Sequence, residues 1–299
     1  MIIKLKNLER TFSRNKALNL SKKQLEEANT TLLNHEKARI NFFTNTSQDL
    51  KSPVNVIYSA EQLLEKQLKN LVIDKNKCTN YIESIKINCF KLIRLVNNIL
   101  DITKMQSSIY EIKLDNIDIV YTIESIVDAA ASFIGSKGID VIFDTTLEEK
   151  IISADGGKVE RIILNLLSNA IKFTNPGGMI FINIFEDSNY LCISISDDGI
   201  GIDESMKESL FDRLFQTNKS LCKVSENSGS GLGLSIVNSL MLLHGGDVTF
   251  KSTYGVGSEF TLRFPNKVLD KPINYNEIDH KKRSYDNMME KIQIEFSDI

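Results

Sequence analysis

Asn165, Asn169 and Lys172 stand among Ile162, Ile163, Leu166, Leu167, Ala170, Ile171 and Phe173 in the stretch ERIILNLLSNAIKFT, residues 160–174. On a helix the two carboxamides, four apart, stack on one face and the ammonium follows one turn later. An amide offers a neutral hard oxygen. Mg²⁺ keeps several waters and takes few protein ligands beside phosphate oxygens, so a single amide suffices for it. Lys172 can neutralise phosphate charge. The trio therefore suits an oxygen-rich anion with its metal, although each residue alone is also what a solvated helix face carries.

Two glycine-bearing segments add to this chemistry. DDGIGI (197–202) follows a run of alternating apolar residues, which places Asp197 at a strand end. There it can accept a hydrogen bond from an exocyclic amine such as adenine N6, while Gly199 and Gly201 would let the backbone approach a flat ring. A turn capped by an Asp explains the same residues. GSGLGLSIV (229–237) sets Gly229, Gly231, Leu232 and Gly233 just ahead of a helix, where free N–H groups and the helix dipole favour phosphate. No GK[ST] follows, so it is not a P-loop, and no acidic residue follows on a second strand as a dinucleotide fingerprint requires. A flexible glycine hinge is the plain alternative.

The elements that must position these residues follow from pattern. Residues 17–68 contain no Gly and only Pro53, and Leu18, Leu25 and Leu32 recur at seven, which predicts a long helix with a short parallel coiled coil. A second helix is predicted over 78–107, with Tyr81, Ile85, Asn88, Leu92, Leu95, Ile99 and Ile102 as its seam. Two such helices make an antiparallel hairpin that leaves apolar stripes uncovered, and pairing through residues 17–107 into a homodimeric four-helix bundle would bury them. From about Tyr110 the pattern changes to strand, helix and strand, then the Asn helix stopped by NPGG (175–178). Two hairpins follow, one turning at Ser188–Asn189 and one ending near Pro265. The fold class expected is α+β: a helical hairpin followed by an α/β sandwich. The charged tail, 266–299, reads equally as an amphipathic helix (Ile278, Tyr285, Met288, Met289, Ile292, Phe296) or as a disordered terminus.

At 299 residues the chain holds about two domains. A net charge of −3 gives no basic field, so nucleic acid is not implied. Cys78, Cys89, Cys192 and Cys222 form no CxxC pair, as expected of thiols in a reducing cytosol. No run reaches the roughly 20 apolar residues of a membrane helix. A cytoplasmic protein, or the cytoplasmic part of a longer membrane-bound one, is expected.

The order of the motifs carries a resemblance. Asn helix, DxGxG, LFDRLFQ (210–216), GxGLGL and GVGSEF (255–260) together resemble the ATP-binding domain of sensor histidine kinases, which share a superfamily with gyrase and heat-shock-90 ATPases. The resemblance spans about residues 36–265. It implies ATP and Mg²⁺ as cofactors, with Asn169 the Mg²⁺ ligand and nucleotide contacts at Asn165, Lys172, Phe173, Asp197, Gly199, Gly201, Gly229, Gly231, Leu232 and Gly233. It implies a lid over 211–233, in which Gln216 stands where kinases often place an Arg, so that a γ-phosphate contact is lacking unless the lid places Arg213 differently. It implies a response-regulator receiver domain as partner. The domains expected are a coiled-coil linker (1–35), a dimerisation hairpin (36–109), the ATP-binding domain (110–265) and the tail (266–299).

FFTNTSQDLKSPVNVI (42–57) resembles the phosphoacceptor segment of the same family, usually FxxxxSHELRTPL, but Gln48 replaces the acceptor histidine. Imidazole offers a nucleophilic nitrogen with a pKa near neutrality; a carboxamide nitrogen is delocalised into its carbonyl and offers none. Neither His35, about 20 Å up the helix, nor His244 or His280 is placed to replace it. Asp49 and Ser52 keep the spacing of the residues that assist phosphotransfer and regulator dephosphorylation in the family, and a carboxylate beside water can act as base. Three functions fit: a kinase core with a substituted acceptor, a pseudokinase acting as scaffold, heterodimer subunit or phosphatase, and an ATPase of the gyrase type. The last is disfavoured, because those ATPases usually place a general-base Glu where Asn165 stands.

Overall fold

The computed structural model describes residues 2–69, 74–107, 110–207, 232–270 and 281–299. Two compact units are distinguished, the first ending at Ser47 and the second beginning at Gln48. Helix α1 (Ile2–Leu68) runs through both without a break, Pro53 included. It begins earlier than the leucine repeat requires, because residues 2–16 also lack Gly and Pro and are rich in Lys, Leu and Arg, which are good helix formers. In the first unit the seam residues Leu25 and Leu32 are exposed, at 72% and 67%.

In the second unit α1 continues and α2 (Lys75–Gln106) starts at Asp74, whose carboxylate accepts from the amides of Asn76 and Lys77. All seven predicted seam residues of α2 are buried or half-buried. One position further round, Ile82, Ile93, Val96 and Leu100 form a second stripe that stays exposed. On α1, Pro53 and Ala60 are buried while Val54, Tyr58 and Leu63 are exposed.

The sandwich is built on β2 (Asp140–Thr145), β4 (Met179–Asp187), β5 (Tyr190–Asp197), β7 (Gly257–Pro265) and β6 (Asp247–Thr253), paired in that order. β2 runs parallel to β4 and the other pairs are antiparallel. A separate two-stranded sheet joins β1 (Asp115–Asp118) to β3 (Ile151–Ala154). The opposing layer is α3 (Ile119–Ser136), α4 (Gly156–Phe173) and α6 (Gly233–Leu243), with a single turn, α5 (Glu204–Lys207), after β5. The core forms where Ile182, Ile184, Ile193, Ile195 and Leu262 of the sheet meet Ile123, Ile163, Leu167 and Ile236 of the helices. Each such side chain removed from water contributes about 1.5–3 kcal/mol. Among the described residues α3 is the one helix long and apolar enough to cross a membrane, and eight of its side chains are buried in this core.

α7 (Lys281–Glu295) packs on α2, α3 and α4, and Ile292 on it and Phe296 just beyond it are buried. Within residues 281–299 the chain forms a helix, and Phe296, just past its end, meets Phe133 of α3 with ring centroids 5.1 Å apart. Ile278 lies outside the described residues.

Candidate functional site

α4 is held at both ends. Its N-cap Asp155 accepts from the amide of Lys158 (3.1 Å) and its other oxygen accepts from the amide of Lys113 (2.9 Å). The amide of Asp155 donates to Nε2 of His244, at the end of α6, whose Nδ1 lies 2.7 Å from the Leu240 carbonyl. This fixes His244 as a neutral ring with its proton on Nδ1, and burial lowers its pKa from the ordinary value. The histidine is an architectural tie between α4 and α6. At the C-terminus the chain leaves the helix at Thr174, and the amide of Gly177 donates to the Gly138 carbonyl.

On this helix the three sequence-predicted polar residues separate by depth. Asn165 is 1% exposed, its Nδ2 donates to the Arg161 carbonyl (2.9 Å), and its Oδ1 is buried without a hydrogen-bond partner. Gly233 at the start of α6 lies directly against that oxygen, so close that a side chain there would collide with it at 2.7 Å. Asn169 and Lys172 are half-buried, and Phe173 is exposed. The Lys172 ammonium sits 5.9 Å from the Phe173 ring centroid. A divalent cation with phosphate fits this donor set: a half-exposed amide on Asn169, a spare buried acceptor on Asn165 and an ammonium one turn on. Among the described residues no group of three or more His, Cys, Asp or Glu side chains could hold a metal, so nothing competes as an all-protein cage.

Asp197 ends β5, as expected from the strand pattern. The Gly199 amide donates to its Oδ1 (3.0 Å). Burial pushes its carboxyl up, against the opposing effect of hydrogen bonds from the backbone of Gly199 and of Ser258. Ser258 belongs to GVGSEF, so that motif supports Asp197 from the neighbouring strand.

The glycines of DDGIGI also have a packing role within the protein. A side chain on Gly199 would strike the Phe173 carbonyl at 2.2 Å, and one on Gly201 the Thr253 carbonyl at 2.2 Å. Gly201 also has φ +66°. Both therefore permit backbone to meet backbone. The close approach lets the Ile200 amide donate to the Phe173 carbonyl (3.1 Å), which joins the Asp197 loop to the end of α4.

Leu232 is the N-cap residue of α6. Its side chain is buried, and its backbone carbonyl accepts from Ser235 and Ile236 at the start of α6. Gly229, Gly231, Arg213, Gln216 and most of the expected lid lie outside the described residues. Gln48, exposed, and Asp49, half-buried, share α1 with exposed Ser52 and with Ser47, whose hydroxyl donates to the Phe43 carbonyl (2.7 Å).

Pattern reading overlooked Arg161 and Ser168. They share a face of α4 with Asn165, at spacings of four and three, and both bond to α2. Arg161 pairs with Asp101 and donates to Asn98 (2.8 Å); Ser168 accepts from Arg94 (3.3 Å). The available signal was a charged and a hydroxyl residue on an otherwise apolar helix.

Residues 154–268 match the family described as histidine kinase-, DNA gyrase B-, and HSP90-like ATPase. Hybrid signal transduction histidine kinase D of Dictyostelium discoideum is 31% identical over 235 residues, which cover 77% of this chain and 15% of that protein. The chain spans 12% to 31% of the length of three of the curated relatives it matches. Among solved structures, the histidine kinase AdeS of Acinetobacter baumannii superposes with a TM-score of 0.56 at 17% identity, covering 73% of this chain and 97% of that one. Full-length ShkA in complex with AMPPNP gives a TM-score of 0.55 at 24% identity, covering 78% and 47%. Those two agree with the chain in fold. A helical hairpin followed by a domain of this ATPase family, in a chain whose curated relatives are histidine kinases, supports a sensor histidine kinase catalytic core.

Proposed function

We propose that the chain binds Mg-ATP between α4 and the end of β5 as the phosphoryl-transfer core of a two-component system. The observation that carries this reading is the bond from Ile200 to the Phe173 carbonyl, because it sets Asp197 beside the Lys172–Phe173 end of α4. Asp197 would accept from the adenine amine, and Phe173 would pack by the nucleotide. Lys172 would meet phosphate, and Asn169 would hold Mg²⁺ with Asn165 behind it. The ion, when bound, neutralises phosphate charge. Gly229, Gly231 and Gly233 would approach the phosphates from the lid side.

Gln48 occupies the acceptor position without a nucleophile, so the chain as it stands forms no phosphoramidate there. A second reading is favoured by Asp49 and Ser52, which retain their spacing around Gln48: a pseudokinase that binds nucleotide and serves as scaffold, heterodimer partner or phosphatase of a response regulator. In both readings the partners are a second copy and a receiver domain. The exposed stripes of Leu25 and Leu32 on α1 and of Ile82, Ile93, Val96 and Leu100 on α2 support pairing through residues 17–107. The divisions 1–35, 36–109, 110–265 and 266–299 belong to this proposal, as does a cytoplasmic location.

Incubation with γ-labelled ATP tests it. The unchanged chain should take up no acid-labile, base-stable label, and Gln48→His should acquire it. Label on the unchanged chain would overturn the acceptor argument. No label on either, with ATP binding intact, would select the pseudokinase.

A further inference from the structure

α7 follows the last strand of the sandwich and belongs to neither the hairpin nor the sheet, yet it is tied to both. Its seat on the sandwich is largely apolar: Ile292 and Phe296 are buried, the latter against Phe133 of α3. Its ionic tie to the hairpin, among the described residues, runs through Arg94. Arg94 of α2 donates from Nε to Glu295 (3.1 Å), from Nη1 to Asp298 (2.7 Å) and from Nη2 to Ser168 of α4 (3.3 Å). The Ser168 hydroxyl closes the loop by donating to the Glu295 carbonyl (3.1 Å). Arg94 and Glu295 are about nine-tenths removed from solvent, so the pair is shielded from screening.

The two attachments are physically unlike. An apolar seat survives salt and small displacements, whereas a desolvated guanidinium is either fully paired or costly to leave in place. The ionic side is therefore the one that lets go as a unit, leaving α7 on the sandwich.

We propose that α7 and Arg94 form a clasp that, beside the Arg161 tie to Asp101 and Asn98, holds the ATP-binding domain on α2, and that the clasped form is a resting state loosened when the Arg94 pairs separate. The resting-state part rests on the kinase reading above, since moving a phosphoryl group from the sandwich to a side chain on α1 requires the sandwich to be free to reach it. The clasp itself rests only on the contacts.

The test uses the full chain with Arg94→Met and, as an independent route to the same opening, the double variant Glu295→Gln/Asp298→Asn. In hydrogen exchange read by mass spectrometry, α2 beyond residue 94 and the end of α7 should exchange roughly tenfold faster in both, with β5 unchanged, and the scattering radius of gyration should rise. Exchange of β5 rising in step would make α7 part of the domain core and overturn the clasp; unchanged exchange in α2 and α7 would do the same. In a Gln48→His background, Arg94→Met should speed labelling by γ-labelled ATP several-fold. Equal or slower labelling would overturn the resting state. No label in either background, with selective exchange intact, would sink the kinase reading and leave the clasp supported.

Discussion

Asn165 and Gln48 are both carboxamides on helices, and the fold treats them in opposite ways. Asn165 is enclosed in α4, with Nδ2 bonded to Arg161, Oδ1 against Gly233 and apolar neighbours on either side. Gln48 lies exposed on α1. At the first position, shape and polarity are set by packing, so chemistry and stability are inseparable there. At the second the side chain is exposed and forms no hydrogen bond among the described residues, so its identity matters chiefly to whatever reacts with it. A substitution at Gln48 can thus pass without structural consequence, while one at Asn165 cannot.

The comparison is broken most forcefully at Asn165. Asn165→Asp replaces a neutral amide by a charge at a site 1% exposed, with a carbonyl as the former donor's partner. A buried carboxylate facing the Arg161 carbonyl has nothing to donate to it and loses its hydration. The expected loss of unfolding free energy is about 3 kcal/mol, read from the urea midpoint at neutral pH. A change below about 0.5 kcal/mol would show that the position is not packing-limited.

Asn169 sharpens the contrast within α4 itself, since it is half-buried and one turn nearer the helix end. Asn169→Ala should leave the urea midpoint close to its starting value and weaken ATP binding in Mg²⁺ by roughly tenfold or more, about 1.4 kcal/mol. Calorimetric titration with and without Mg²⁺ separates the ion's share. Equal affinity in the variant would remove Asn169 from the metal role.

Much of this site was legible in the primary structure because its signals are local. The apolar ladder of 160–174, the alternation of 179–187 and 190–197 and the NPGG stop each occupy one element, and each forms where expected. What could not be read depends on partners distant in the chain. Arg94 meets Glu295 and Asp298 across 201 and 204 positions, and no local pattern marks such a pairing. The glycines of DDGIGI carry the same lesson. Their residue type announces a close approach, but only the fold shows that what approaches is the carbonyl of Phe173 or Thr253.

A smaller effect comes from His244, which ties the N-cap of α4 to α6. Its pKa in the folded chain lies below the ordinary 6.5 because burial disfavours the imidazolium. Below pH 6.5 the unfolded chain binds this proton and the folded chain does not, so the stabilisation is complete above that value and is lost as pH falls through the window down to the folded pKa. The slope from one proton is at most about 1.4 kcal/mol per pH unit. Melting temperature measured from pH 7.5 to 5.5 should fall in the unchanged chain and fall less in His244→Gln, whose amide is also able to accept from Asp155 without titrating. Parallel pH profiles would show that the His244 ring does not couple folding to protons.

The smallest effect is the one on which the contrast finally depends. Gln48→Ala removes an exposed side chain from the interior of a long helix, where Ala is the better helix former by a few tenths of a kcal/mol. The urea midpoint should therefore shift by no more than about 0.5 kcal/mol, and in the stabilising direction if at all. Affinity for ATP should not change, because every residue proposed to touch nucleotide lies beyond α2. A loss of stability above 1 kcal/mol would mean that Gln48 is held by contacts between copies of the chain, for instance across the paired hairpins. The replacement of histidine would then be a structural adaptation and not simply the absence of a nucleophile. The size of this one small number thus decides whether the acceptor position is vacant chemistry on an indifferent surface or part of an interface that the chain has rebuilt.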